Sequence, residues 1–557
     1  MQMDFKRLIL MAVFAFSMIM LWERWQIHNA PKPGPVASQS AAAEGGALPT
    51  AMASGAAVPA QVAGVPATEQ VMASAYATAA KVVVKTDTMI ATVSAQGGDI
   101  IQLELTQHKQ SADHSKNFIM LQDQGEHFYV ANSGLIGSDL PNHKTMFDLK
   151  AGEYSLKDGE DSIQIRMTAP AVNGIAVTKL LTFHRASYLI DVAYEINNAS
   201  AAPLSTTAYF QLARDSKPVE HSAGFFGGVS SFTGPAVYTQ EGKFQKIDFK
   251  KIEKDEANYV KSAKEGWVAM IQHYFVSAYL PKAGMEREFY THKIAGDVFG
   301  AGVKLPVAVP AGQKGTIDVP LYVGPQEQDK LEAIAPGFNL VVDYGWVSII
   351  AVPLFWVLAH IHALVGNWGW AIIIVTILIK AAFFPLSAAS YRSMGKMKKL
   401  MPKMKALQER HKDDKMKLNQ SMMELYKTEK VNPMGGCLPI LIQMPVFMAL
   451  YWVLLGVVEM RQAPWMFWIT DLSVKDPYFI LPIIMGATML IQTKLNPTPP
   501  DPVQAKVMML MPIMFTFMFL WFPSGLVLYW VLNNTLSIAQ QWYITRSIEN
   551  GEVKPAK

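Results

Sequence analysis

The run Trp370–Leu386 reads WAIIIVTILIKAAFFPL, and a single charge, Lys380, interrupts it. Its length and apolarity are those of a membrane-spanning helix. A charge at bilayer depth costs roughly 2.5–3.5 kcal/mol even on the mildest insertion scales. The run contains no Asp or Glu to offset it. Either another helix neutralises Lys380, or the lysine faces a wet cavity and acts there.

Around this run the chain is strongly segregated. It has 557 residues, more than one ordinary core holds, with 51% hydrophobic and 17% charged residues. The apolar excess is concentrated after residue 345, and the formal net charge of +4 says less than its distribution. Cys437 is the sole cysteine, which excludes an intramolecular disulfide; at the start of an apolar run it reads as a small buried hydrophobe.

Upstream, Leu8–Trp22 is a short apolar run after Lys6 and Arg7. The first small-x-small site, Ala51–Ala53, lies far downstream, so the run reads as an uncleaved signal anchor over 1–28. Residues 29–80 are rich in Ala, Gly, Pro, Ser and Val, and read as a disordered tether. From Lys81 to about Val323 the period becomes two. Ile163, Ile165 and Met167 alternate with Gln164, Arg166 and Thr168, and Ile190, Val192, Tyr194 and Ile196 with Asp191, Ala193 and Glu195. This predicts a large antiparallel β domain, sized for a two-sheet sandwich over 81–325. Its eight histidines, from His108 to His292, show neither metal-ligand spacing nor a nucleophile motif. No metal, cofactor or catalytic constellation is expected.

A short polar helix is predicted at Pro325–Ala335. Trp346–Val365 is apolar but carries Pro353, His360 and His362, and the His-x-His pair points to different helix faces. Further apolar runs are Gly436–Val458, Tyr478–Gln492, Val507–Phe522 and Gly525–Ile544. Between them and the Lys380 run lies 387–435, with twelve Lys or Arg against five Asp or Glu. Short basic loops stay cytoplasmic. The β domain is then outside, and one crossing fits between 324 and 386. The Lys380 run leads straight into the basic loop and takes that crossing. Trp346–Val365, broken by Pro353, then lies flat at the outer interface, within a linker over 326–368. Counting on gives six spans with both termini inside, and an external loop, Val457–Pro477, carrying Trp465, Phe467 and Trp468.

Other polar residues sit inside the spans: Thr376 one turn before Lys380, Gln443 between Pro439 and Pro445, Asn533, Asn534, Thr516 and Tyr529. Interhelical hydrogen bonding is the ordinary reading of the neutral ones. A buried lysine without a carboxylate needs water or a visiting partner. A cationic groove with no resident anion suits a transient substrate carrying negative or polar groups. The basic loop predicts a helical hairpin. Met394, Met397, Leu400, Met404 and Leu407 form one apolar stripe; Asp413 and Asp414 start a second helix that carries Met416, Met423 and Tyr426 and ends at Asn432–Pro433. Its Met-rich face suits varied partners. Its cationic face, with Lys396, Lys398, Lys399, Lys403, Lys405 and Arg410, suits RNA or anionic lipid.

Four motifs carry a resemblance: KVNPMGGCLPILIQMPVF at Lys430–Phe447, WFPSGLVLYW at Trp521–Trp530, VGNWGW at Val365–Trp370 and EMRQAP at Glu459–Pro464. Together they resemble the YidC-type membrane protein insertases of Gram-negative bacteria, over nearly the whole chain. The resemblance implies an α-helical polytopic membrane protein of six spans. A five-span insertase core would occupy 369–546, including the cytoplasmic hairpin 387–435 and followed by a tail over 547–557. The external all-β domain would be a periplasmic β-supersandwich. It further implies a non-enzymatic inner-membrane insertase and chaperone working alone or with the Sec translocon. Its groove would be hydrophilic and cationic, open to cytoplasm and lipid. Lys380 takes the family's cation position, where arginine is usual; lysine keeps the charge without the planar fork. Thr376, Gln443, Met444 and Tyr529 fall on family groove or contact positions, and Asn533 is added from the span reading. Implied partners are nascent membrane proteins, the Sec translocon with its accessory subunits, the ribosome and phospholipids.

Two other functions predict features of their own. A transporter or channel with a cationic substrate site predicts inverted repeats or a polar path through the bilayer, and neither is seen. A serine–lysine intramembrane protease would pair Lys380 with Ser387, two turns on along one helix face.

Overall fold

The computed structural model describes residues 76–217 and 232–549, apart from 112, 126, 412, 413, 430, 432–437 and 497–501. They all fall within one compact unit. The expected anchor, nearly all of the tether, Cys437 and most of the tail lie outside the described residues.

Strands between Lys81 and Pro325 form two sheets, one of ten strands and one of eight. In the larger, Leu204–Asp215 pairs antiparallel with Tyr129–Ile136 on one side and Val298–Val309 on the other. In the smaller, Leu189–Asn198 lies between Ile175–His184 and Lys314–Pro325. The period-two reading holds where one face is solvated: Ile190, Val192, Tyr194 and Ile196 are buried between half-buried or exposed neighbours. It fails at Trp267–Ile271 and Phe275–Tyr279, which are buried throughout. A short helix, α1 (Phe249–Glu253), interrupts the strands.

Helices then follow without further strands. α2 (Gln328–Ile334) leads to α3 (Ser348–Val365). Pro353 does not break α3: in the second turn it removes one intrahelical bond, and the helix runs on. Ala351, Phe355 and Leu358 are buried, while Trp346, Ile349, Val352, Trp356 and Leu364 are exposed. α4 (Trp368–Ala382) carries Lys380. The Lys380 run is not one straight helix. The chain bends by 65° at Phe383 into α5 (Phe384–Arg410). Pro385 explains the break, because it has no N–H to donate back into α4 yet fits the first turn of a new helix. α6 (Lys415–Thr428) starts where expected, its first turn capped by Asp414, which accepts from Met416 N and Lys417 N at 3.1 and 3.0 Å.

α7 (Leu438–Gly456), α8 (Ile480–Leu495), α9 (Pro502–Phe519) and α10 (Ser524–Glu549) complete the described chain. α9 starts earlier than the hydropathy run, at about 27 Å for its 18 residues. By itself only α3, with the turn before it, is long and apolar enough to cross a membrane among the described residues; α4 and α5 qualify as a bent pair. α10 packs against α4, α5, α7 and α8. Ile377 and Leu378 on α4, Ile483 and Ile484 on α8, and Leu510, Ile513 and Phe517 on α9 face outward. So large an exposed apolar surface is expected of a protein in lipid.

The β domain is fastened to the segment after α7. Arg461 is buried, its guanidinium 5.1 Å from the Phe118 ring and 5.5 Å from that of Phe275. It donates to the Lys109 carbonyl, which Gln462 Nε2 also reaches at 2.8 Å; Lys109 N donates to Gln462 Oε1 at 3.2 Å. His273 Nε2 donates to the Leu455 carbonyl at 3.0 Å.

Glu459 lies beside this seam, with Oε2 shielded and unpaired. Burial, reinforced by Glu327 and Asp329, pushes its carboxyl up to about 7, against a partial offset from Lys330 and a backbone hydrogen bond. Below pH 4.5 the carboxyl is protonated folded or unfolded. Between there and about 7 only the unfolded chain releases the proton, so this group's contribution to stability falls as pH rises, then levels off. Glu459→Gln should therefore unfold at a higher temperature than the parent at pH 8 and at the same temperature at pH 4. The gap should be on the order of 3 kcal/mol, read by thermal unfolding in detergent.

Candidate functional site

Ile372, Thr376 and Lys380 recur every turn on one face of α4, and all three are buried. That face meets α10. Lys380 is 6% exposed, and its ammonium donates to Ser537 Oγ on α10 at 2.7 Å. Among the described residues no carboxylate forms an ion pair with it. The structure meets neither alternative in full: another helix reaches the lysine, but with a hydroxyl that leaves its charge unbalanced.

Ser537 is the residue the sequence reading missed. Its hydroxyl donates to the Asn533 carbonyl at 2.7 Å. Asn533 Oδ1 accepts from Gln443 Nε2 on α7 at 3.0 Å, and Gln443 also pairs with the Tyr529 hydroxyl. On the other side, the Tyr391 hydroxyl of α5 lies near Ser537. One polar chain thus joins α4, α7 and α10 through Lys380, Ser537, Asn533 and Gln443, with Tyr529 beside it. Phe447 lines it, its ring 6.1 Å from Tyr529 and 4.8 Å from Trp530.

Two expected members stand apart. Thr376 is buried and donates to the Ile372 carbonyl at 2.6 Å, a bond within its own helix. Met444 is half exposed on α7, one residue from Gln443. Ser387 lies on α5, past the 65° bend, so no shared helix face pairs it with Lys380.

The outer side of this site is cross-braced, and three of the quoted motifs do the bracing. In VGNWGW, Gly366 closes α3 at φ +68 and Asn367 caps α4 through Trp370 N at 3.1 Å. Asn367 Nδ2 also donates to the carbonyls of Pro464 and Trp465, and a Cβ on Gly369 would strike the Trp465 indole. In WFPSG, Ser524 Oγ donates to the Asp471 carbonyl at 2.9 Å and Gly525 N to that of Leu472 at 3.0 Å. Asp476 accepts from Leu481 N at the start of α8 and from the Trp468 indole. EMRQAP supplies the Arg461 and Gln462 contacts.

On the hairpin, Lys396, Lys398, Lys399, Lys403, Lys405 and Arg410 are exposed, with Lys403 also bridging to Glu429 at 2.6 Å. The Met-rich face is largely consumed. Met397, Leu400, Met401 and Met404 pack against Met422, Leu425 and Tyr426 where α5 and α6 meet, leaving Met416 and Met423 outward. His360 lies tilted against Trp356 and His362 stacks on Trp368, and among the described residues no His, Cys, Asp and Glu cluster could hold a metal.

Comparison with known proteins agrees with this architecture. Residues 81–357 match the YidC periplasmic domain and residues 360–551 the 60Kd inner membrane protein family. A membrane protein insertase YidC of Aromatoleum aromaticum is 60% identical over 557 residues, 100% of both chains. One of Dechloromonas aromatica is 55% identical, covering 99% of this chain and 98% of its own. A crystal structure of an active YidC insertase with its first transmembrane domain resolved is 17% identical, with a TM-score of 0.38, over 85% of this chain and 97% of that one. The chain belongs to the YidC family of membrane protein insertases.

Proposed function

We propose that this protein inserts inner-membrane proteins and helps them fold, and that the polar chain around Lys380 receives the acidic or polar part of the incoming segment. The observation that carries this is a buried ammonium that meets a hydroxyl and, among the described residues, no carboxylate. A client carboxylate would supply the missing charge and a bond worth about 1.5–3 kcal/mol. The braced outer side supports a site that admits clients from the cytoplasm and from lipid.

In this reading 81–325 is periplasmic, the anchor and the tail put both termini in the cytoplasm, and 369–546 supplies five spans. The bent α4–α5 pair provides the inward crossing, and 387–435 is the cytoplasmic hairpin. α3 lies flat at the outer interface. Support for that comes from its two ends: Tyr344, just before α3, approaches Gly456 and Glu459, and Asn367, just after it, bonds Pro464 and Trp465. Both ends of a helix about 27 Å long therefore meet the same external loop, as a crossing helix could not. The exposed hairpin cations suit ribosomal RNA and anionic phospholipid. The Sec translocon and its accessory subunits complete the expected partners.

Photo-crosslinkers at Met444 and Gln443 should capture a stalled nascent membrane protein. Capture confined to Phe467 in the external loop would overturn the reading.

A further inference from the structure

Among the groups the mechanism has not used, Ser537 stands out by connectivity. A hydroxyl has one proton to give and two lone pairs to receive with. Ser537 gives its proton to the Asn533 carbonyl, receives from Lys380 Nζ, and meets the Tyr391 hydroxyl. Its bond to its own helix fixes the oxygen, so both lone pairs face away from the α10 backbone toward α4 and α5. Lysine adds a particular need. Its ammonium is a point charge on a four-carbon stem with no planar fork to hold it in place. Without Ser537 the Nζ would be free to swing toward any polar group along α10. Ser537 is also 3% exposed, so solvent does not compete for the place. Tyr391 sits in the second turn of α5, the helix that leaves the site at the 65° bend and carries the exposed cations.

We propose that Ser537 is a positioning residue for the Lys380 cation, holding it where a client carboxylate can meet it, and that Tyr391 ties this hold to the base of the cytoplasmic hairpin. The inference rests on the reading that Lys380 receives acidic clients. The geometry requires that Ser537 act through Lys380 and not through the client itself. The ammonium has three protons to give, so a carboxylate arriving at Nζ takes another of them while Ser537 keeps its own.

The test uses the full-length protein in proteoliposomes and two single-span clients that differ only by Asp→Asn replacements in the translocated segment. The quantity read is the ratio of insertion of the acidic client to that of the neutral one. Ser537→Ala should lower this ratio about tenfold, the worth of one hydrogen bond to a charged group. Ser537→Thr, which restores the hydroxyl, should recover it, and Tyr391→Phe, which removes a polar neighbour of Ser537, should lower it less, about threefold. A ratio unchanged in Ser537→Ala, an equal fall for both clients, or no recovery in Ser537→Thr would overturn the proposal. Lys380→Ala, run in parallel, separates the two levels. If it leaves the ratio intact, the parent reading falls and this inference with it. If it abolishes the ratio while Ser537→Ala does not, only the positioning role falls. Tyr391→Phe keeps the test informative if Ser537→Ala does not fold, since it removes a contact from the other side.

Discussion

Lys380→Glu should abolish insertion of an acidic single-span client in cells depleted of the native protein, lowering it by about 100-fold. Removing the ammonium forfeits a charge-assisted bond worth about 1.5–3 kcal/mol, and a glutamate adds like-charge repulsion. Lys380→Arg should stay within about threefold of the parent, since guanidinium keeps the charge and adds a bidentate fork. Lys380→Met divides function from stability. The lysine has no anionic partner among the described residues, and Ser537 keeps its bond to Asn533 without it. An apolar side chain of similar length should thus unfold no earlier than the parent, because replacing buried charge with apolar volume is often neutral or stabilising. The same variant should insert acidic clients about tenfold less well. A Lys380→Glu variant that inserts such clients at the parental rate would remove the charge from the mechanism.

Arg461→Ala should free the β domain from the membrane core. The guanidinium faces two rings that themselves stack at 4.1 Å, and it reaches the Lys109 carbonyl and Ser111 Oγ. A desolvated cation over aromatic faces contributes about 2 kcal/mol and its charged hydrogen bonds about as much again. Lys109 N–H, which donates to Gln462 Oε1, reports the change. Its hydrogen exchange should accelerate by a factor of about 100 or more, while amides of the buried strand Trp267–Ile271 keep their protection. Arg461→Lys should recover less than half of the effect, because an ammonium has no planar face to lay against the rings and fewer donors for Lys109 and Ser111. Unchanged exchange at Lys109 in Arg461→Ala would show that His273 and Gln462 suffice to hold the seam.

The readable parts of this chain were those where one residue contradicts its surroundings. Lys380 declared itself by being charged in an apolar run, and the strand Leu189–Asn198 by alternating. Ser537 is the counter-example: a serine in a helix is unremarkable, and its partner lies 157 positions away. Fully buried strands such as Phe275–Tyr279 lose the alternation because both faces pack. Prolines misled in opposite directions. Pro353 promised a break that α3 absorbs near its start, whereas Pro385 was folded into a span that bends there. The Met stripe of the hairpin was read as a partner surface. Periodicity shows that a face is apolar and not what covers it, and here much of the cover is the other half of the hairpin.

The bend at Phe383 has a mechanical meaning. From Phe384 to Met401, before Pro402, α5 is a rod of about 27 Å at 1.5 Å per residue. Pivoted at the bend, it is a lever whose short arm ends at Tyr391, roughly 10 Å out. A tilt of about 10° would carry Met401 through nearly 5 Å and Tyr391 through just under 2 Å, by the same helical rise. That smaller travel is enough to part a hydroxyl from its neighbour. A displacement of the far end would thereby be geared down into a smaller travel of Tyr391, on the side of the site where Lys380 meets Ser537.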